Sequence, residues 1–370
     1  MPEPRDVLRE TFGFPDFRDG QRTVVDRLLM GKSVLAIFPT GGGKSLCYQL
    51  PALMLDGLTL VVSPLIALMK DQLDFLKTRK VPAARLDSSM TLEEVRKVYA
   101  DLRAGTLKLL YVSPERLANE RFLQTLRSLK ISLLAVDEAH CISEWGHNFR
   151  PDYLKLAALA KDLRVGRVLG LTATAPPAVA GQIAAAFGID ADDVVRTGFY
   201  RPNLTLHLTP CQPHQADELL AKRLADRPPG ATIVYVTLQR TAEAVAKRLC
   251  EQGVPARPYH AGLDSELRHT IQDWFMAAPR AVVVATIAFG MGIDKANIRY
   301  VYHYNLPKSL ENYAQEVGRA GRDGAPSVCE VFVCPQDRIA LENFIYGDTP
   351  TLDAVRSVIA DVLGRGEQFD

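Results

Sequence analysis

Three glycines followed by a lysine and a serine, Gly41-Gly-Gly-Lys-Ser45, stand between a short apolar run and the start of a helical pattern. Ser33-Val-Leu-Ala-Ile-Phe38 has the length of a strand, and Leu46-Cys-Tyr-Gln-Leu50 begins the helix. A glycine-rich turn from strand to helix is the context a phosphate-binding loop requires. Without Cβ atoms, Gly41, Gly42 and Gly43 can bring their backbone N–H groups around an anion, with Thr40 leading into the turn. The helix N-terminus adds partial positive charge. Lys44 would then meet the β- and γ-phosphates, and the Ser45 hydroxyl would ligate Mg²⁺. Phe38 departs from the general pattern G-x-x-x-x-G-K-[ST], standing where the first glycine belongs. Taken alone, the stretch could also be a glycine-rich turn followed by Lys-Ser by chance. The motifs downstream argue against that.

Asp137-Glu-Ala-His140 follows the apolar run Leu133-Leu-Ala-Val136. A carboxylate at the end of a buried strand, downstream of a phosphate loop, is placed to hold Mg²⁺ through its water. Glu138 would orient and deprotonate the attacking water. Near the end of the chain, Gln315-Glu-Val-Gly-Arg-Ala-Gly-Arg-Asp-Gly324 sets Arg319 and Arg322 three apart among small residues. That spacing presents two guanidinium groups on one side of a helix end, and the planar arginine fork suits phosphate oxygens. Each cluster has a plainer reading, as a solvated acidic turn or a basic loop. Gly170-Leu-Thr-Ala-Thr-Ala175 ends another strand with hydroxyl residues able to link the nucleotide site to the rest of its lobe.

These groups need a frame. From Val34 onward short apolar runs alternate with helical stretches: strands at 58–63, 107–112, 131–136 and 167–171, helices at 65–79, 92–103 and 152–163. Such alternation predicts a doubly wound parallel sheet with its sites at the carboxyl ends of the strands. Residues 197–203 break the pattern and read as a linker, and a new series of strands begins at Leu204. It continues with strands at 232–236, 281–285 and 300–304 and helices at 239–251, 265–277 and 309–317. The second series has no phosphate loop, so its lobe is expected to close over the nucleotide of the first. The expected domains are 1–200, 201–340 and a helical tail, 341–370.

A length of 370 residues is natural for two domains. With 47% hydrophobic and 24% charged residues, the composition is that of a soluble globular protein. No apolar run approaches the roughly 20 residues of a membrane span, and Met1-Pro-Glu-Pro-Arg5 does not read as a signal peptide, so the cytoplasm is expected. Lys and Arg total 44 against 43 Asp and Glu, so bulk charge does not argue for a nucleic-acid partner. The six cysteines form no C-x-x-C pair, and Cys329 and Cys334 flank an expected strand at 331–333 as small hydrophobes.

In order and spacing these motifs resemble superfamily 2 helicases, and more narrowly the RecQ family of DNA helicases. Phe12-Gly-Phe-Pro-Asp-Phe-Arg-Asp-Gly-Gln21 is similar to that family's F-G-[YF]-x-x-F-R-x-G-Q element. Cys141-Ile-Ser-Glu-Trp-Gly-His-Asn-Phe-Arg-Pro-Asp-Tyr153 resembles its aromatic-rich loop after D-E-A-H. Leu171-Thr-Ala-Thr-Ala175, Tyr259-His-Ala-Gly-Leu263 and the arginine motif also match. The resemblance implies two RecA-like lobes with ATP and Mg²⁺ between them. It gives Phe14 an adenine-stacking role, Gln21 the reading of adenine's polar edge, and Arg18 a place beside them. His140 and Gln315 would couple the site to DNA or to the other lobe, and Arg322 would be the arginine finger with Arg319 beside it. Ser63, Pro64, Ser113, His260 and Thr286 fall where the family contacts the single-strand backbone. Trp145, His147, Phe149 and Arg150 would stack on bases and hold phosphate, joining DNA binding to hydrolysis.

The implied activity is 3′ to 5′ translocation and duplex unwinding in DNA repair and recombination, by a nucleoid-associated monomer acting on single-stranded and partly duplex DNA. Two alternatives stay open: an ATP-gated DNA-binding or remodelling ATPase that does not separate strands, and an RNA-dependent ATPase of the same superfamily. Residues 336–370 depart from the family, since they carry no cysteine where a four-cysteine zinc module is usual. No zinc is expected, and two helices are expected instead.

Overall fold

Strands read as continuous apolar runs when a sheet is covered on both faces, and the first half of the chain is built this way. The structure is a computed structural model and describes residues 2–64, 66–142, 151–198, 200–289, 295–346 and 352–365. Strands β1 (Val34–Ile37), β2 (Leu58–Val62), β3 (Ala83–Leu86), β4 (Leu109–Val112), β5 (Ile131–Val136), β6 (Val168–Thr172) and β7 (Val194–Arg196) form one sheet. Their order is β3-β4-β2-β5-β6-β1-β7, and every pairing is parallel.

The pleat sends successive side chains to opposite faces. Leu35, Ile37, Leu60, Val62, Leu134 and Val136 pack on one side, against Val98, Phe122, Leu156 and Ile183 of four helices. Val34, Ala36, Val61, Leu133 and Ala135 pack on the other, against Val24, Leu28, Leu50 and Met69. Each parallel crossover returns the chain to the same end of the sheet, so the loops after β1, β2, β4, β5 and β6 gather at one edge.

Strands β8 (Leu204–Pro210), β9 (Ala231–Tyr235), β10 (Ala256–Tyr259), β11 (Val282–Ala285), β12 (Ile298–His303) and β13 (Ser327–Val333) form a second sheet. It is also parallel throughout, in the order β10-β11-β9-β12-β13-β8. The helices Gln239–Glu251 and Ser265–Ala277 lie where the sequence places them. The tail forms two helices, Asp337–Tyr346 and Leu352–Arg365.

The chain divides into two compact units. Residues up to Asn203 belong to the first together with Ser309–Ala325, whereas Leu204–Phe289, Asn297–Lys308 and the chain from Pro326 belong to the second. The arginine segment therefore groups with the first unit, although β12 and β13 on either side of it in sequence belong to the second sheet.

Candidate active site

The loop after β1 is held open by glycine geometry. Gly41 and Gly43 adopt φ values of 82° and 76°, which side chains rarely tolerate. A Cβ on Gly43 would sit 2.3 Å from Gln21 Nε2, and one on Gly42 would sit 2.9 Å from the Pro39 carbonyl oxygen. Ser45 directly precedes the helix Leu46–Met54, so the glycine loop runs into a helix N-terminus. Lys44 donates to the Phe38 carbonyl oxygen at 3.2 Å. Burial, aided by the charge of Arg322, holds its ammonium below the usual range, while Glu138 and Asp137 oppose the shift. Lys44, both carboxylates and Arg322 thus meet around one loop. The Arg322 side chain lies against Gly41, whose added Cβ would be 3.3 Å from Arg322 Cγ.

β5 and β2 are neighbours with Val136 opposite Val62, so Asp137 and Ser63 emerge side by side. Ser63 Oγ donates to Asp137 Oδ2 at 3.2 Å, and the Glu138 N–H donates to Oδ1 at 3.0 Å. The Tyr153 hydroxyl donates to the Asp137 carbonyl at 3.0 Å. Burial and then the charge of Glu138 push Asp137 up to about 6, against the pull of Lys44. Glu138 itself takes φ 50°, a left-handed conformation uncommon for a side chain of this size. Such backbone strain persists only where the surroundings impose it, and it clusters at active sites.

The next neighbour, β6, supplies Thr172. Its hydroxyl donates to the Thr174 carbonyl at 2.8 Å and accepts the Thr174 N–H at 3.2 Å. A hydroxyl has one hydrogen, so His140 Nδ1, 2.9 Å from the same oxygen, must be the donor in that contact. Glu138 Oε2 lies 3.2 Å from the same nitrogen, a charge contact when the ring is protonated. Burial opposes a charged ring here, yet Cys141 and the Glu138 carboxylate push His140 up to about 10.

The expected adenine element is tied to the same loop. Gln21 is buried, its Oε1 accepting the Arg18 N–H at 2.8 Å and its Nε2 donating to the Gly43 carbonyl at 2.9 Å. Arg18 donates to the Gly41 carbonyl. Gln21, expected to read a base, also braces the phosphate loop. Phe14 is 40% exposed.

The remaining expected residues are dispersed. Ser63 and Ser113 are buried at the ends of β2 and β4, and the Ser63 hydroxyl is directed to Asp137. In the second unit His260 and Thr286 follow the adjacent strands β10 and β11, both buried, with His260 Nε2 3.2 Å from Glu243 Oε1. Gln315 lies half-buried on the helix Leu310–Val317, and Arg319 is buried just beyond it. Trp145, His147, Phe149 and Arg150 lie outside the described residues. Among the described residues no group of His, Cys, Asp and Glu forms a metal site from side chains alone. A hydroxyl and a carboxylate beside a phosphate cradle instead fit Mg²⁺, which binds few protein ligands and keeps water and phosphate oxygens.

Residues 18–182 match the DEAD/DEAH box helicase family, and residues 214–324 match the helicase conserved C-terminal domain. The chain is 45% identical over 340 residues to the ATP-dependent DNA helicase RecQ of Pasteurella multocida, a match covering 92% of this chain and 54% of that protein. It is 40% identical over 376 residues to the probable ATP-dependent DNA helicase RecS of Bacillus subtilis, covering 100% of this chain and 74% of that one. In fold it is similar to the Mycobacterium smegmatis helicase Lhr bound to ssDNA and AMP-PNP, with a TM-score of 0.72 at 22% identity, covering 94% of this chain and 51% of that one. The chain spans about half the length, 54% to 57%, of the bacterial RecQ proteins it matches.

Proposed function

Because the chain belongs to the RecQ family of ATP-dependent DNA helicases, we propose that it hydrolyses ATP to move 3′ to 5′ along single-stranded DNA and to unwind duplex, as a cytoplasmic monomer serving repair and recombination. The observation that carries this reading is the convergence of Lys44, Asp137, Glu138 and Arg322 on the glycine loop.

In this reading Lys44 neutralises the β- and γ-phosphates, Phe14 stacks on adenine, and Arg18 and Gln21 position the loop beneath it. Mg²⁺, when bound through Ser45 and Asp137, supplies further neutralisation of phosphate charge. Glu138 orients the attacking water and takes its proton, and the charge of a protonated His140 beside it steadies the Glu138 carboxylate. Arg322 stabilises charge on the transferring phosphoryl group, with Arg319 beside it. Ser63, Pro64, Ser113, His260 and Thr286 serve the strand backbone, and Trp145, His147, Phe149 and Arg150 stack on bases or hold phosphate.

The test is strand displacement on duplexes carrying a 3′ or a 5′ overhang, run beside ATPase assays with single-stranded DNA or RNA of equal length. The expected result is unwinding from the 3′ overhang and stimulation by DNA. Stimulation by RNA alone, or ATPase activity without displacement, would replace this reading with an RNA-dependent or a remodelling ATPase.

A further inference from the structure

The segment that carries Arg319 and Arg322 is a helix end followed by successive turns. Helix Leu310–Val317 closes at Gly318, and Gly321 and Gly324 turn the chain with φ values of 53° and 82°. Beyond the helix, the carbonyls of these turns accept from two side chains more than a hundred residues upstream. Arg201 donates from Nη1 to the Gly318 carbonyl at 3.2 Å and from Nη2 to that of Ala320 at 2.9 Å, and it also reaches the Gly321 carbonyl. Asn203 Nδ2 donates to the Gly321 carbonyl at 2.9 Å and to that of Ala325 at 3.0 Å.

Two side chains thus fix four carbonyls between residues 318 and 325, bracketing both arginines. All of these residues lie in the first unit. The same backbone sets where Arg322 lies against the loop: a Cβ on Gly318 would be 2.9 Å from Thr40 Cβ, just as one on Gly41 would meet Arg322. The segment is therefore seated closely on the loop at both places, with little room to drift.

We infer that Arg201 and Asn203 are positioning residues for ATP hydrolysis, holding the arginine segment so that Arg322 meets the transferring phosphoryl group. The inference rests on the proposed role of Arg322. Arginine is suited to this task because its rigid fork spans several acceptors, which the single ammonium of lysine does not. Asn203 contributes an amide at the turn, where Asp would bring a carboxylate against carbonyl oxygens.

The experiment is steady-state ATPase kinetics with saturating single-stranded DNA on Arg201→Ala, Arg201→Lys, Asn203→Ala, Arg322→Ala and the double variant Arg201→Ala/Arg322→Ala. A misplacement of about 1 Å lowers rates by roughly 10²-fold. The Arg201→Ala enzyme is expected to lose kcat on that scale with KM for ATP unchanged, and Arg201→Lys is not expected to recover it. Residues acting as one unit are non-additive, so the double variant is expected to match Arg322→Ala alone. Asn203→Ala, which keeps every charge, gives the same pattern at smaller size and carries the test if Arg201→Ala does not fold. Full kcat in both Arg201→Ala and Asn203→Ala, beside a slow Arg322→Ala enzyme, would overturn this inference alone. So would losses that add in the double variant. Full kcat in Arg322→Ala would remove the finger role and this inference with it.

Discussion

The second unit contains a buried charge whose removal has a calculable consequence. Glu330, on β13, is 1% exposed, and three side chains donate to its carboxylate. Thr209 Oγ1 donates to it at 2.7 Å, Arg223 Nε lies at 3.0 and 3.1 Å from its two oxygens, and Arg227 Nη2 donates at 2.7 Å. Burial alone would raise this carboxyl, but the bonds from Thr209 and Arg223 and the charges of Arg223 and Arg227 outweigh it and hold it below the ordinary glutamate range. Glu330→Gln keeps the shape, removes the charge and turns one acceptor into a donor facing guanidinium groups. Breaking a buried pair from one side costs about 3–5 kcal/mol. The arginine side chains are 28% and 21% exposed and can recruit water, which favours the lower end, about 3 kcal/mol. With urea slopes of about 1–3 kcal/mol/M, the unfolding midpoint falls by about 1–3 M.

The chain has two tryptophans, Trp145 and Trp274. A Trp145→Phe background therefore leaves Trp274, with the Arg257 guanidinium 4.4 Å from its ring centre, as the reporter of the second unit. The pH dependence follows from linkage. A carboxyl held low in the folded state stabilises it above the unfolded value of about 4.3, and that contribution fades as pH falls through the folded value. Unfolding midpoints are compared with and without the Glu330→Gln substitution, both in the Trp145→Phe background. The gap between them should be constant from neutrality to about pH 5 and narrow below about pH 4. Equal midpoints at pH 7, or a gap that persists in acid, would refute the assignment of this stability to the ion cluster.

Two further outcomes concern the nucleotide. Lys44→Ala is expected to weaken ATP binding as well as turnover, while Glu138→Gln binds ATP normally and does not turn it over, because an amide cannot accept the proton; equilibrium binding beside single-turnover hydrolysis separates the two, and equal loss of binding contradicts the split. Phe14→Ala is expected to raise KM for ATP by the factor that about 1–3 kcal/mol of stacking represents, with kcat unchanged; a kcat loss at constant KM would move Phe14 out of the adenine site.

The strands hidden from a sequence reading share one property. β3, β7 and β10 are all outermost in their sheets, and none stands out as an apolar run. An edge strand is not obliged to be apolar throughout, and it tolerates proline where no partner needs an N–H. The β10 sequence Ala256-Arg-Pro-Tyr259 therefore lacks the signature that makes the central strands plain. The chemistry is legible where phosphate, metal or water demands a residue type. Arg201 and Asn203 give no such signal because they act on backbone carbonyls 117 to 122 residues away, and a carbonyl leaves no mark on sequence. Phe38 is the opposite case, an irregularity visible at once whose reason is structural. Side chains alternate along β1, so Phe38 falls on the same face as Val34 and Ala36 and is buried with them, pointing into the core. The glycine requirement appears instead across from it. Gly20 has φ 74°, and a Cβ there would lie 2.9 Å from the Phe38 ring and 2.6 Å from Thr197 Cγ2. The aromatic ring occupies the volume that a side chain on Gly20 would need, so the chain enters the glycine loop without a glycine at position 38. Parity along the strand already implies the direction of that ring; finding its partner, on a different element, requires the fold.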